Sequence, residues 1–394
     1  MTAIQSTEKP AKPYASYPLT AHKSGQWRKR YKGRDYYCGP WNDPEGALEE
    51  WERIRASLTL GIDPAKPDHL TIEDLCDLLT ASKEAKHEIG ELSHHTLADY
   101  KSACKHLLAR FGKHRPAESF TPADFDTYRS KFPKHWGTAS ILKQITLTRG
   151  IFKWGYDNGH IDRIPRYGEN FSKPKKRVRN AEQRAKAKKE FTGAEVYALL
   201  HEADPQFYAM ILLGLNVGFG NADCARLQTT DINGEWIETL RGKTGTHRKG
   251  WLWPETRKAL RDVERFHKRS GITPAKGCES LVFRNHDGTP WVSETQKFNA
   301  ITNRFAKIKR AAKCHRPGCA FYSFRHMFES IAGETKDQVC VDHVMGHAPA
   351  DNDMGAIYRN GISDDRIKAV CEHVRAWFIA AKPKRTRKSQ GGAK

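Results

Sequence analysis

A tyrosine, a histidine and two kinds of cation follow one another in order through the C-terminal half of this 394-residue chain. The order is Lys243-Thr244-Gly245, then Tyr322-Ser323-Phe324-Arg325-His326, then Met345-Gly346-His347, then Tyr358, with Arg325 and His347 22 positions apart. A phenol, a guanidinium, an imidazole and an ammonium together could transfer a phosphoryl group to tyrosine. Attack on a phosphodiester needs the charge on the phosphoryl oxygens neutralised and the departing oxygen protonated. Each residue alone has a plainer reading. Tyr358 is one of 13 tyrosines, Lys243 fits a solvated turn, His347 fits a histidine just past a helix end, and Arg325 fits a phosphate contact or a surface ion pair. A further run, Cys314-His315-Arg316-Pro317-Gly318-Cys319 with His326, His343 and His347 downstream, has a spacing within zinc range. A loop of two reduced thiols leading into the Arg325 helix is the better account of it, and no metal or other cofactor is expected.

The elements that must position these residues are mostly helices. Thr192-Gly193-Ala194-Glu195 forms a capping box that opens a helix through Leu200, and further helices are expected at 206–215, 221–227, 254–268, 296–313 and 324–331. Strands at 236–240 and 250–253 flank the turn from Arg241 to Arg248 and predict a β-hairpin. Ser363-Asp364-Asp365 caps a last helix with the apolar stripe Ile367, Val370, Cys371, Val374, Trp377 and Phe378, which must bury itself on its own domain or on a neighbouring protomer.

Upstream, residues 1–13 have the composition of a disordered lead-in. Residues 14–62 read as three short strands, beginning with Tyr17-Pro18-Leu19-Thr20, and a helix capped by Asp43 with Pro44 at its first position. Basic and aromatic residues interleave there, which suits either a sheet laid in a DNA groove or an ordinary small sheet. Residues 67–170 read as a helical domain, with helical signals throughout from Thr71 to about Gly159: Thr71 starts one helix, 96–111 form a second, Thr121-Pro122 opens a third, and 139–158 form the fourth. The exposed side of this bundle could hold Lys134, Lys143, Arg149 and Lys153. A basic linker over 171–190, a catalytic domain over 191–381 and a basic tail over 382–394 complete a mainly α architecture with small β elements.

The formal net charge of +21 points to a polyanionic partner, because bound phosphates release condensed counterions. Its distribution qualifies that inference: Lys173 to Lys189 contribute +8 and Lys382 to Lys394 contribute +6, leaving the folded domains only mildly basic. Nine scattered cysteines read as reduced thiols of an intracellular protein. No stretch approaches the roughly 20 apolar residues of a membrane span, and residues 1–13 offer no signal-peptide core, so no membrane contact and a cytoplasmic, nucleoid-associated location are expected.

With this domain plan, the ordered set resembles the tyrosine recombinase (phage integrase) family, and the resemblance covers nearly the whole chain. In that family a hairpin lysine precedes a His-x-x-Arg box, followed by a Gly-His and then the nucleophilic tyrosine. The resemblance implies an arm-binding β-module, a helical core-DNA-binding domain and a catalytic domain that cuts and rejoins DNA through a 3′-phosphotyrosyl bond. It implies that Tyr358 attacks, that Arg325 clamps a phosphoryl oxygen with Tyr322 and His347 as further donors, and that Lys243 protonates the leaving oxygen. Double-stranded DNA is the implied partner, with Lys23, Arg28, Lys143, Lys173, Lys175, Lys176, Arg177 and Arg248 as contact candidates and self-assembly on DNA through the C-terminal helix.

Three departures stand out. The family's first catalytic arginine lies in Gly-x-Arg-x-x-Glu, and Gly218-Phe219-Gly220-Asn221-Ala222-Asp223 puts Gly220 in its place. Arg226 lies six residues on, about 240° around a helix, which makes Arg248 of the hairpin the better substitute. Tyr322 stands where the box begins with histidine, and the step from His347 to Tyr358 is longer than usual. The readings left open are a recombinase, a catalytically impaired DNA-binding protein that uses the fold for regulation or DNA architecture, and a type IB topoisomerase.

Overall fold

The computed structural model describes residues 9–60, 70–185, 189–242, 245–292, 300–348 and 361–383. They belong to two compact units, residues 1–185 and 186–394. Lys243, Tyr358 and most of the basic tail lie outside the described residues.

The first unit opens with an antiparallel sheet of β1 (Thr20–His22), β2 (Gln26–Tyr31) and β3 (Arg34–Pro40), covered by α1 (Pro44–Thr59). Gly25 and Gly33 take the positive φ that the two tight turns require. The first strand begins at Thr20 rather than Tyr17. Tyr17 is buried instead, with its ring edge against Trp27 and its hydroxyl donating to the Pro44 carbonyl at 2.5 Å, so it anchors the sheet to the start of α1.

Four helices follow: α2 (Ile72–Glu88), α3 (His94–Phe111), α4 (Pro122–Ser130) and α5 (Thr138–Asp157). Thr71 and Thr121 form capping boxes as their spacing predicts, while α3 starts two residues before Thr96 because Ser93 supplies its cap. Leu75, Leu107, Phe125, Ile145, Phe152 and Phe171 make a separate core. Within the expected linker, Lys176–Ala185 form a helix, α6, that buries none of its own residues. Its Glu182 carboxylate accepts from the Thr138 amide at 2.7 Å, where the free N–H groups at the start of α5 favour an anion.

The second unit contains α7 (Gly193–Glu202), α8 (Pro205–Val217), α9 (Asn221–Arg226), a sheet of β4 (Ile232–Asn233), β5 (Trp236–Leu240) and β6 (His247–Trp251), then α10 (Pro254–Arg269), α11 (Ala300–Ala311), α12 (Ser323–Gly333), α13 (Gln338–Met345) and α14 (Asp364–Ala380). Helix α8 is apolar on nearly every side and is the central element. Its buried Asn216 donates to the Trp251 carbonyl and accepts from the Trp253 amide, both at 2.8 Å, which ties the end of β6 to the core. The second hairpin strand therefore starts three residues and ends two residues earlier than the 250–253 expected from apolar content.

The stripe of α14 is buried within its own unit: Ile367, Val370, Cys371, Val374 and Phe378 join the core. Tyr197 stacks on Phe378 and donates to its carbonyl at 2.9 Å, and Trp253 donates to the Cys371 carbonyl at 2.8 Å. All nine cysteines are free thiols. Between Cys314 and Cys319, Arg316 pairs with Glu195 of the α7 capping box, which fixes that loop to the start of the unit. Among the described residues no helix is long and apolar enough to cross a membrane.

Candidate active site

Two helix ends meet at the site. Helix α8 stops at Gly218, whose φ of 65° is left-handed and whose absent Cβ would lie 3.0 Å from Phe328 and 3.2 Å from Met345. Glycine is needed there for both conformation and space. Helix α13 stops at Gly346 in the same conformation, φ 67°. Arg325, on the first turn of α12, spans the two ends: Nη1 donates to the Gly218 carbonyl at 2.6 Å and Nη2 to the Met345 carbonyl at 2.9 Å. A cation beside carbonyls at helix C-termini is favoured by the helix dipole. Arg241, at the base of the hairpin, adds a bond from Nη1 to the Gly346 carbonyl at 3.1 Å.

Arg248 enters from β6. Opposite Thr239 in the ladder, it donates from Nε to Thr239 Oγ1 at 2.7 Å, lies 4.0 Å above the Phe219 ring, and pairs with Asp223 at 3.0 Å. The other oxygen of Asp223 accepts from the Gly220 amide at 2.7 Å and caps α9. One carboxylate thus joins Arg248 to the backbone at position 220. A Cβ built on Gly220 would lie 3.0 Å from the Tyr322 ring, so Tyr322 stands directly over the vacant position, itself 42% exposed and edge-on to His326. His347 follows Gly346, and its Nδ1 is 2.9 Å from Asp342.

The electrostatics are lopsided. Among the described residues, Asp223 is the one carboxylate hydrogen-bonded or ion-paired to any of Arg241, Arg248 and Arg325. Burial lowers the guanidinium pKa of Arg248, and Arg325 and Arg241 lower it further against the opposing pull of Asp223. Burial likewise lowers that of Arg325, with Arg241 again adding and Tyr322 opposing. Desolvated cations in excess over anions make a site for an oxyanion.

The structure thus brings together Arg325, Tyr322, His347 and Arg248. Lys243 lies outside the described residues; of its neighbours in sequence, the Arg241 amide donates to the Thr246 carbonyl and the Gly245 amide to the Arg241 carbonyl. Arg226 points at the same hairpin, its guanidinium lying over Gly242 and away from Gly220. The remaining contact candidates belong to the first unit. Lys23, Lys173, Lys175, Lys176 and Arg177 are exposed, Arg28 is paired with Asp35 at 3.2 Å, and Lys143 with Asp99 at 2.5 Å. Of the bundle cations, Arg149 turns inward to the Phe171 carbonyl and the Tyr167 ring. Arg241, Asp223 and Asp342 were not singled out from the sequence. Asp223 had a signal, standing where the Gly-x-Arg-x-x-Glu pattern places its acid.

No protein-family model matches this sequence, and no curated protein does. Solved structures match over most of the chain. A lambda integrase tetramer bound to a Holliday junction is 16% identical, with 90% of this chain and 97% of that chain covered and a TM-score of 0.53. A lambda integrase dimer bound to a COC′ core site is 15% identical, covering 89% of this chain and 96% of that one with a TM-score of 0.52. The Tn1549 transposon integrase in complex with transposon right end DNA is 16% identical, covering 78% and 100% with a TM-score of 0.54. The small sheet module, the helical bundle and the α8–α14 assembly around the two paired helix ends together give this chain the tyrosine recombinase fold.

Proposed function

We propose that the chain is a site-specific DNA recombinase or integrase that cuts and rejoins DNA through a 3′-phosphotyrosyl intermediate on Tyr358. The observation that carries this reading is the convergence of Arg325, Arg248 and Arg241 on the ends of α8 and α13, with Tyr322 and His347 alongside, in a fold whose solved examples include integrases bound to DNA. Such a cluster neutralises the non-bridging oxygens of a phosphodiester. His347 and Tyr322 add hydrogen bonds, and Lys243 delivers the proton to the leaving 5′ oxygen. The phosphotyrosyl bond conserves the energy of the broken linkage, so resealing to another strand needs no nucleotide cofactor.

Double-stranded DNA is the partner. Lys23, Arg28, Lys143, Lys173, Lys175, Lys176 and Arg177 make phosphate contacts, and copies assemble on DNA through the face of α14 left exposed beyond its buried stripe, which includes Ile379. Domain roles follow the same reading: arm binding by 14–62, core-site binding by 67–170 and catalysis by 191–381. A second reading, a catalytically impaired DNA-binding protein, is favoured by one observation, the absence of a side chain at Gly220. Incubation with nicked duplexes from a randomised pool separates the two. A denaturant-resistant covalent adduct that disappears in Tyr358→Phe, with DNA affinity retained, supports the recombinase. Binding without any adduct supports the second reading.

A further inference from the structure

We infer that Arg248, carried on strand β6, is the second arginine clamp on the scissile phosphate, doing from the hairpin what Gly220 cannot do from the cap of α9. This rests on the recombinase reading and gives one member of its arginine cluster a defined role.

Gly220 is where the inference begins. Its backbone is extended, with φ −98° and ψ −176°, a conformation open to any residue. Gly218 is required by its left-handed backbone; Gly220 is not. What a side chain at 220 would meet is the Tyr322 ring at 3.0 Å and the Asp223 carboxylate at 3.3 Å. That carboxylate is already in use, holding Arg248 at 3.0 Å and the Gly220 amide at 2.7 Å. The guanidinium of Arg248 is therefore held beside position 220 by the same acid that caps α9.

Position 248 is itself unusual. It alternates with exposed His247 on the inner side of β6, where only 3% of the arginine is exposed, and an apolar residue would be the ordinary occupant. A buried cation with two like charges nearby, Arg325 and Arg241, is costly unless something else uses it. Nε and Nη2 are satisfied by Thr239 and Asp223, but Nη1 has no hydrogen-bond partner among the described residues. A phosphodiester oxygen would complete that set and offset the excess positive charge.

Two readouts test this on the full chain: adduct formation on nicked duplexes, and the rise in unfolding temperature produced by inorganic phosphate over chloride at matched ionic strength. Arg248→Gln should slow adduct formation about 10³-fold, by analogy with arginines in other phosphoryl transfers, and should lose the phosphate response. Arg248→Lys, which keeps the charge without the fork, should fall between. Gly220→Arg alone should lower the rate by crowding Tyr322 and opposing Arg248. Gly220→Arg with Arg248→Gln should recover activity relative to Arg248→Gln, a gain that no loss of folding could produce. An adduct rate and phosphate response unchanged in Arg248→Gln overturn the inference, as does a double variant no faster than Arg248→Gln. A wild-type chain that forms no adduct defeats the strand-cleavage reading alone, and the phosphate response then decides whether Arg248 is an anion contact.

Discussion

Arg325→Lys separates what Arg325 does for the fold from what it does for chemistry. The guanidinium reaches two carbonyls on different helices, Gly218 at 2.6 Å and Met345 at 2.9 Å, and only a planar fork spans both. A lysine ammonium can satisfy one and leaves the other buried and unpaired. The lost charge-assisted bond, partly replaced by relaxation, costs about 2 kcal/mol. For a folded unit of this size roughly 2–4 °C accompany each kcal/mol, so the unfolding midpoint of the second unit should fall by roughly 4–8 °C. On the proposed recombinase reading, adduct formation measured well below the lower midpoint should fall about 10³-fold or more, because that reading has the fork clamp the phosphoryl oxygens. An unchanged midpoint would show that the bridge between α8 and α13 does not hold those helices together. A lowered midpoint with undiminished adduct would show that Arg325 is a brace and touches no phosphate.

Three further outcomes follow from the same structure. His267 on α10 is buried, its Nδ1 faces the Arg284 guanidinium Nη2 at 3.2 Å, and burial with that cation lowers its pKa from 6.5 to about 4. Because the folded state disfavours the imidazolium, stability present above pH 6.5 is lost as pH falls toward 4, by about 2 kcal/mol at pH 5; His267→Gln should lose correspondingly less between pH 7 and 5, and equal acid sensitivity in calorimetry would refute the assignment. Asp342→Asn removes the carboxylate 2.9 Å from His347 Nδ1 and should slow adduct formation roughly 10- to 100-fold at unchanged DNA affinity, as loss of an orienting partner does elsewhere; a loss of affinity instead would mean that Asp342 acts on binding. Neutralising Lys173, Lys175, Lys176 and Arg177 together should weaken binding to all sequences alike and reduce the slope of log affinity against log salt by up to about 3.6; an unchanged slope would make that segment a solvated spacer.

The helix caps were the most legible part of the sequence. Asp43-Pro44, Thr71, Thr121-Pro122 and Thr192 each start a helix where spacing places them, because a cap is satisfied within four residues. Boundaries decided by tertiary contacts were not legible. Tyr17 has strand composition but is drawn under α1, and the end of β6 is set by Asn216, 35 positions from Trp251. Helix α13 escaped notice because eight residues carry too short a stripe, although Asp337 caps it. At the candidate site, Arg325 and His347 stood out in the sequence through their mutual order. The role of Arg241 depends on a carbonyl 105 positions away, which no local pattern encodes.

Helix α6 changes what the basic segment can do. A slack tether between two folded units must be ordered when it meets a rigid partner, at about 1–2 kcal/mol per residue of backbone freedom, and that cost erodes the attraction of its charges. Ten of these residues are already wound, and Glu182 fastens them to the start of α5. Lys176 and Arg177 therefore lie on a preset turn, with Lys173 and Lys175 on the approach to it. The one acid between Lys173 and Lys189 is spent on the latch. Its cations can act as a rail rather than a cloud, able to dictate the angle at which a charged rod comes to rest and not merely how tightly it is held.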